Sequence, residues 1–300
     1  MICLANPQAR SGRGKKLQSL WRKRLAESQS SVRWHECSSG EDCRQQAALA
    51  KGTVVAVGGD GTINNVLNGL MNNESLPPMG VLYSGTSPDF CKFHQIPIQP
   101  QAALNLLLSG QTKKVDIAEV NFSHHDSSCC RAFFASSCNI GLGAATAGFA
   151  NQWRKYLGDL AGTGLGLLKA MIRHKAFKSE ITIDGQSYSY EKTNHIIVLK
   201  NPYIASSLRL KLDCRADDGW LRIIVIHDYP HFKLLGLLKS MYFGTLLKHK
   251  NVFMESGRHI EVRTDPVQSL EFDGDPQGQT PATFIVHPYA LSLICGDRHD

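Results

Sequence analysis

The chain has 300 residues, 42% hydrophobic and 20% charged, with 33 Lys and Arg against 26 Asp and Glu for a net charge of +7. This is the composition of an ordinary soluble globular protein, and it excludes disordered, collagen-like and fibrous classes. No run approaches the roughly 18 uninterrupted apolar residues of a membrane helix, and the length suits two cores better than one.

The basic residues are scattered in short groups ("RKRL", "RHKAFK", "LLKHK") that suit solvated helix faces, so no nucleic-acid partner is expected. Nine cysteines, an odd count with no C-x-x-C pair, suggest buried free thiols. The opening "MICLANPQ" enters a strand without a basic leader. Both features point to the cytoplasm.

From residue 1 to 118, short apolar runs ("ICLA", "SVRWHE", "TVVAV", "GVLYS") alternate with segments of helical periodicity. One such segment is "GRGKKLQSLWRKRLAES", where Leu17, Leu20, Trp21 and Leu25 share a face. Sequential β-α units predict a parallel sheet with helices on both faces. In "VVAVGGDGTINNVLNGL" (54–70) an apolar strand passes through three glycines into a helix starting near Thr62, whose apolar face is Ile63, Val66, Leu67, Leu70 and Met71. The unpaired amides and positive end of a helix N-terminus hold anions, and Gly58, Gly59 and Gly61 let a phosphate come close. Asp60 beside such a site requires a metal or a sugar hydroxyl between the charges; the plainer alternative is a capped strand-to-helix turn.

After "KKVDIAEVNF" the pattern becomes strand-like: "CCRAFFASSCNIG", "EITIDGQSYSYE", "HIIVLKN", "LRLKLDCRADDGWLRIIVI", "RHIEVRTD", "QSLEFDGD" and "ATFIVHP". Helical stretches around 152–174 and 231–248 are expected to decorate a β-sandwich. The predicted architecture is therefore α/β plus mainly β: an N-terminal parallel-sheet domain over 1–118, completed by the C-terminal segment 287–300, and a β-rich domain over 119–286.

The stretch "GGDGTINNVLNGL" resembles the signature of the diacylglycerol kinase catalytic domain, shared by bacterial lipid kinases of the YegS type and by sphingosine and ceramide kinases. NAD kinases and phosphofructokinases have a related G-G-D-G-[TS] loop, but the continuation "INNVLNGL" resembles the lipid-kinase version. Other blocks follow in the family's order: "NPQARSGRGK" from Asn6; "GVLYSGTSPDF", with Thr86 and Asp89 at matching positions; "KKVDIAEV", with the acidic Asp116; "RADDGWLRIIVI"; and "LEFDGDP".

The resemblance implies an NAD kinase/diacylglycerol kinase-like nucleotide-binding domain. Asn6, Gly58, Gly59, Asp60, Gly61, Thr62, Ile63, Asn64, Thr86 and Asp89 would contact ATP. Asp218 with the neighbouring carbonyls at Arg215 and Trp220 would hold Mg²⁺, and Asp60, Asp116 and Asp275 would serve catalysis, Asp275 as base. Phosphoryl transfer needs these parts: donors and Mg²⁺ on the phosphates, and a carboxylate for the attacking hydroxyl's proton. "DGDP" and "DDG" could also be turns alone.

Three features depart from the family. Asp275 stands where Glu is usual, Pro88 replaces an Asn, and "LKNPYIASSLRL" replaces a Gly-rich stretch. The nucleotide-contacting Thr after the second strand has no plain counterpart in "WHECSSGED", where Glu36, Ser38 or Ser39 could face that place.

The leading expectation is an ATP- and Mg²⁺-dependent lipid kinase acting on a diacylglycerol-like lipid, phosphatidylglycerol or a long-chain base. It would be cytoplasmic and meet the inner face of the membrane transiently through basic residues such as Arg154, Lys155, Arg173 and Lys175. A homodimer is admitted but not required. The alternatives are a regulator that binds nucleotide or lipid without turnover, and a kinase of a soluble acceptor such as NAD.

Overall fold

Alternation of apolar runs with amphipathic segments builds a doubly covered parallel sheet. The computed structural model describes residues 1–12, 14–28, 31–123, 128–142, 144–146, 149, 165–166, 169–171, 173–204, 208–230, 233–272 and 275–296. Strands β1 (Ile2–Ala5), β2 (Arg33–Glu36), β3 (Val54–Gly58) and β4 (Met79–Tyr83) lie in the order β2-β1-β3-β4, all parallel. Helices α1 (Lys15–Ser28), α2 (Gly40–Ala48) and α3 (Asp60–Met71) connect them, and α4 (Asp89–Phe93) and α5 (Pro100–Ser109) follow β4.

The period-2 geometry of a strand sorts the side chains. Leu4, Val54 and Ala56 pack with Ala47 of α2 and Val66, Leu67 and Leu70 of α3, while Cys3, Val55 and Val57 pack with Trp21 and Leu25 of α1 and Leu104 and Leu107 of α5. With both faces covered, the strands are continuously apolar, as in "VVAV".

Next come β5 (Thr112–Ser123), β6 (Cys129–Phe134), β7 (Ser137–Gly141), β8 (Phe177–Ile183), β9 (Gln186–Leu199), β10 (Tyr203–Ile204), β11 (Leu208–Arg209), β12 (Leu221–His227), β13 (Val252–Gly257), β14 (His259–Asp265), β15 (Ser269–Phe272) and β16 (Asp275–Ile294). Pairings β16-β14-β8-β9-β7-β15-β16 close on themselves around an apolar interior containing Phe134, Ile181, Val198, Phe272 and Phe284. Ile197 and Leu199 point the other way, to a second core with Ile224, Ile226 and Leu234 and Leu237 of the helix Leu234–Tyr242. That helix and the short turn Leu246–Lys248 cover the sheet, as a decoration would. Residues 151–164 of the other expected helical stretch, including Arg154 and Lys155, lie outside the described residues.

The two halves share a ribbon. Strand β5 pairs antiparallel with β16 from Thr112–Ile294 to Ser123–Gln279, and the far end of β16 joins β4 in parallel at Leu293–Met79. Leu291 and Leu293 enter the N-terminal core. Among the described residues no helix is long and apolar enough to cross a membrane.

The expectation of nine free thiols is corrected: Cys37 and Cys43 are disulfide-bonded, their Cα atoms 5.5 Å apart, and the other seven form no disulfide. Cys37 follows β2 and Cys43 lies in the first turns of α2, so the strand-to-helix bend brings together two residues that their spacing does not mark as partners. With this disulfide the cysteines no longer point to a reducing compartment.

Gly69 in α3 faces the Arg44 carbonyl of α2 so closely that an added Cβ would overlap it. Gly69→Ala is expected to lower stability by about 1–3 kcal/mol through overpacking, measured as a drop in the urea midpoint.

Candidate active site

Strand β3 ends at Gly58 and α3 begins at Asp60, with Gly59 as its extended N-cap (φ −98°, ψ −168°). A side chain at Gly58 would overlap Thr62, and one at Gly85 would meet the Cα of Gly59 and the Tyr83 hydroxyl. These glycines are required by close approach rather than by positive φ. The Ser84 amide donates to the Gly58 carbonyl at 2.8 Å, locking the loop after β4 to the loop after β3.

Asp60 sits at that junction and accepts from the Tyr83 hydroxyl at 3.2 Å. Burial first, and then the charge of Asp60, push the Tyr83 phenol and the Cys91 thiol up from their ordinary values, so both stay neutral beneath the carboxylate.

Asn6 closes the other side, its amide donating to Thr62 Oγ1 at 3.3 Å. Buried Gln18 of α1 donates to the Asn6 carbonyl at 2.9 Å and to Ser84 Oγ at 3.2 Å, joining the loops after β1 and β4. A cavity of about 450 Å³ opens beside this junction, lined by Asn6, Gln8, Ser38, Ser39, Thr62 and Asn65 among others.

Of the candidates after β2, Ser38 and Ser39 line this cavity, whereas Glu36 turns outward to Arg22 at 3.5 Å. Asp42 shapes this wall. Its carboxylate accepts from the Ser38 amide (2.8 Å), the Ser38 hydroxyl (3.1 Å) and His35 Nε2 (3.0 Å), and these partners, the Ser38 amide foremost, hold it below the usual carboxylate range. Its own amide donates to Ser39 Oγ at 3.1 Å, which caps α2.

Thr86 is exposed after β4, and Asp89 is buried at the start of α4, where Ser87 Oγ donates to its carboxylate at 3.3 Å. Pro88 is the N-cap residue of α4. Ile63 and Asn64 turn away from the loop. Ile63 is in the core, and Asn64 and Asn68 donate to the Phe133 carbonyl of β6 at 3.1 and 2.8 Å, docking α3 on the second domain. Among the first-turn amides, those of Thr62 and Ile63 already bond to the Gly59 carbonyl.

Asp116, buried, and Asp218, partly buried, lie together in a cluster with a lysine to which the family resemblance gives no role. The ammonium of Lys200 reaches Asp116 Oδ2 at 2.7 Å, Asp218 Oδ1 at 2.5 Å, and the carbonyls of Arg215 and Trp220 at 3.0 and 3.3 Å. Asp116 also accepts from the amides of Gly219 (2.7 Å) and Tyr289 (3.0 Å), and its side chain is fully buried. Arg222 Nη2 holds the second oxygen of Asp218 at 2.8 Å. Burial raises the Asp218 carboxyl, but Lys200 and the amides of Arg215 and Trp220 hold it below its ordinary value.

The three expected metal ligands do converge, yet on an ammonium, and so do not fit a divalent ion as well. Among the described residues no group of three or more His, Cys, Asp or Glu side chains is arranged to hold a metal. The only sign of Lys200 in the sequence is a lysine closing the apolar run "IIVLK".

The Asp275 backbone opens β16 opposite Phe272; its side chain lies outside what the structure describes. Nearby, buried Glu271 accepts from Asn139 at 2.6 Å.

The pattern of the diacylglycerol kinase catalytic domain matches residues 1–120, and that of the YegS C-terminal NAD kinase beta sandwich-like domain matches residues 136–295. The chain belongs to the diacylglycerol kinase family. A diacylglycerol kinase of Staphylococcus carnosus is 26% identical over 234 residues, covering 77% of this chain and 72% of that one. A crystal structure of a diacylglycerol kinase from Bacillus anthracis superposes with a TM-score of 0.78 at 20% identity, covering 98% and 96% of the two chains. Yeast NADH kinase shares the fold more distantly, at a TM-score of 0.57 and 14% identity over 97% and 81%. Within this diacylglycerol kinase-family chain, the glycine loop lies in the first matched segment and the Lys200 cluster joins the two, through Asp116 from the first and Asp218 from the second.

Removing one partner of a buried ion pair strands the others. Lys200→Met is expected to cost roughly 3–5 kcal/mol, measured by chemical denaturation, with the midpoint falling and the folded spectrum unchanged.

Proposed function

We propose that the chain is an ATP-dependent kinase that transfers the γ-phosphoryl group to a hydroxyl of a membrane lipid. The acceptor would be a diacylglycerol-like lipid, phosphatidylglycerol or a long-chain base. One observation carries the proposal: the Gly58–Gly61 loop, pressed on Gly85 at the head of α3 and opening beside a cavity of about 450 Å³, in a chain of the diacylglycerol kinase family.

An N-terminal helix turn with glycine on either side concentrates backbone donors and positive dipole where a triphosphate's charge would lie. Asn6, Thr62, Ser38 and Ser39 line the cavity with polar groups suited to the rest of a nucleotide. Mg²⁺ arriving with the triphosphate would neutralise the charge that develops during transfer, and Asp60 is the carboxylate at the loop placed to meet it. Tyr83 orients that carboxylate without competing for its charge.

Asp275 is assigned as the base that takes the lipid hydroxyl's proton. The family resemblance would put Glu there, and a side chain one methylene shorter would slow the reaction, since a misplacement of order 1 Å costs about 100-fold. Transient contact with anionic lipid fits the net charge of +7 and exposed apolar residues such as Phe243, 73% accessible at the end of the helix Leu234–Tyr242.

The test is incubation with γ-labelled ATP, Mg²⁺ and a total membrane lipid extract, followed by counting label in the organic phase. The wild type is expected to label a lipid, and Asp60→Asn and Asp275→Ala to lose at least about 100-fold in turnover. Asp275→Glu is expected to raise it. Label in added NAD instead would establish the soluble acceptor, and nucleotide binding without any label would establish the regulator.

A further inference from the structure

We propose that the cation demanded by the turn at 215–220 is built into the chain: the ammonium of Lys200 takes the place of a structural divalent ion, so this turn binds none. It follows that this turn supplies no metal to phosphoryl transfer, and the divalent ion of that reaction would enter with the nucleotide. This second statement rests on the phosphoryl-transfer reading; the first does not.

The acceptors around Lys200 Nζ are the ones that would otherwise coordinate a metal: Asp218 Oδ1 and the carbonyls of Arg215 and Trp220, with Asp116 Oδ2 as a fourth. They are shared among the three N–H donors of one ammonium. A magnesium ion needs about six oxygens at roughly 2.0–2.1 Å and keeps several waters. Here the Lys200 side chain is only 2% exposed, and both the space and the oxygens are taken.

The charges also balance without a metal. Asp116 and Asp218 face Lys200 and Arg222, and Arg222 is held by Asp218 Oδ2 and the Asp213 carbonyl, both at 2.8 Å. A divalent ion added to this neutral set would leave two uncompensated positive charges in a buried place, which is strongly unfavourable.

Nor can the lysine readily step aside. Its amide donates to the Ser136 carbonyl at 2.9 Å, and the next residue, fully buried Asn201, donates to the Asp89 carbonyl at 3.2 Å. The ammonium therefore ties together the end of β9, the 215–220 turn and Asp116 of the shared ribbon, whatever the free divalent concentration.

The test uses the full chain without nucleotide, so its outcome is separate from that of the kinase assay. Mn²⁺ is titrated by electron paramagnetic resonance, and thermal melting is followed in Mg²⁺ and in EDTA. The wild type is expected to bind no Mn²⁺ tightly and to melt at the same temperature in both. Lys200→Ala, which frees the oxygens and the volume, is expected to melt lower in EDTA, to recover in Mg²⁺, and to take up roughly one Mn²⁺ per chain, lost again in Lys200→Ala/Asp218→Asn. A wild-type chain that binds one Mn²⁺ through Asp218, or melts higher in Mg²⁺, overturns the proposal, as does Lys200→Ala that is equally stable in EDTA. If Lys200→Ala does not fold, the wild-type titration decides alone.

Discussion

The antiparallel ladder between β5 and β16 is the constraint on which the rest depends. It runs the length of β5 from Thr112 to Ser123 and passes through both cores, so the domains are two ends of one ribbon rather than separate bodies. Its irregularities matter as much as its regular part. The register shift between His287 and Leu291 bulges β16 opposite Asp116, puts Tyr289 at φ +54°, and aims the Tyr289 amide at the Asp116 carboxylate. The buried cluster is organised from that point outward.

A buried carboxylate pair is unfavourable unless its charge and every lone pair are met. Asp116 and Asp218 meet this condition with amides, a lysine and an arginine drawn from the ribbon, the end of β9 and β12. Gly219 supplies one of those amides from a left-handed conformation (φ +71°) that favours glycine. The "DDG" turn is therefore more than a connection between strands. It is the seat of a cation, and its second aspartate and glycine carry that role.

The glycine-loop side of the molecule follows the same economy of contact. Gly59 and Gly85 bring two strand ends together, Gln18 joins the loops after β1 and β4, and Asp42 folds the Ser38 loop over the cavity. Packing around the site is dense on the side of the cores and open on the side of the cavity. This asymmetry lets backbone donors be rigid and yet reachable by an anion.

The elements and their order could be read from the amino acids alone, because period-2 and period-3.6 apolar spacing and glycine punctuation are local properties. "VVAVGGDGTINNVLNGL" was legible as strand, tight loop and helix, and the later blocks as strands of a second, β-rich half. Which polar groups meet depends on the packed fold. Ile63 and Asn64 share the signature but turn to the core and to β6; Ser38 and Ser39, rather than Glu36, line the cavity; and Cys37 finds Cys43. Lys200 was beyond local reading altogether, since its four acceptors come from Asp116, far back along the chain, and from a turn still to come. A side chain's spacing says which face it occupies, but what it bonds to depends on strands that pair only after the chain has folded.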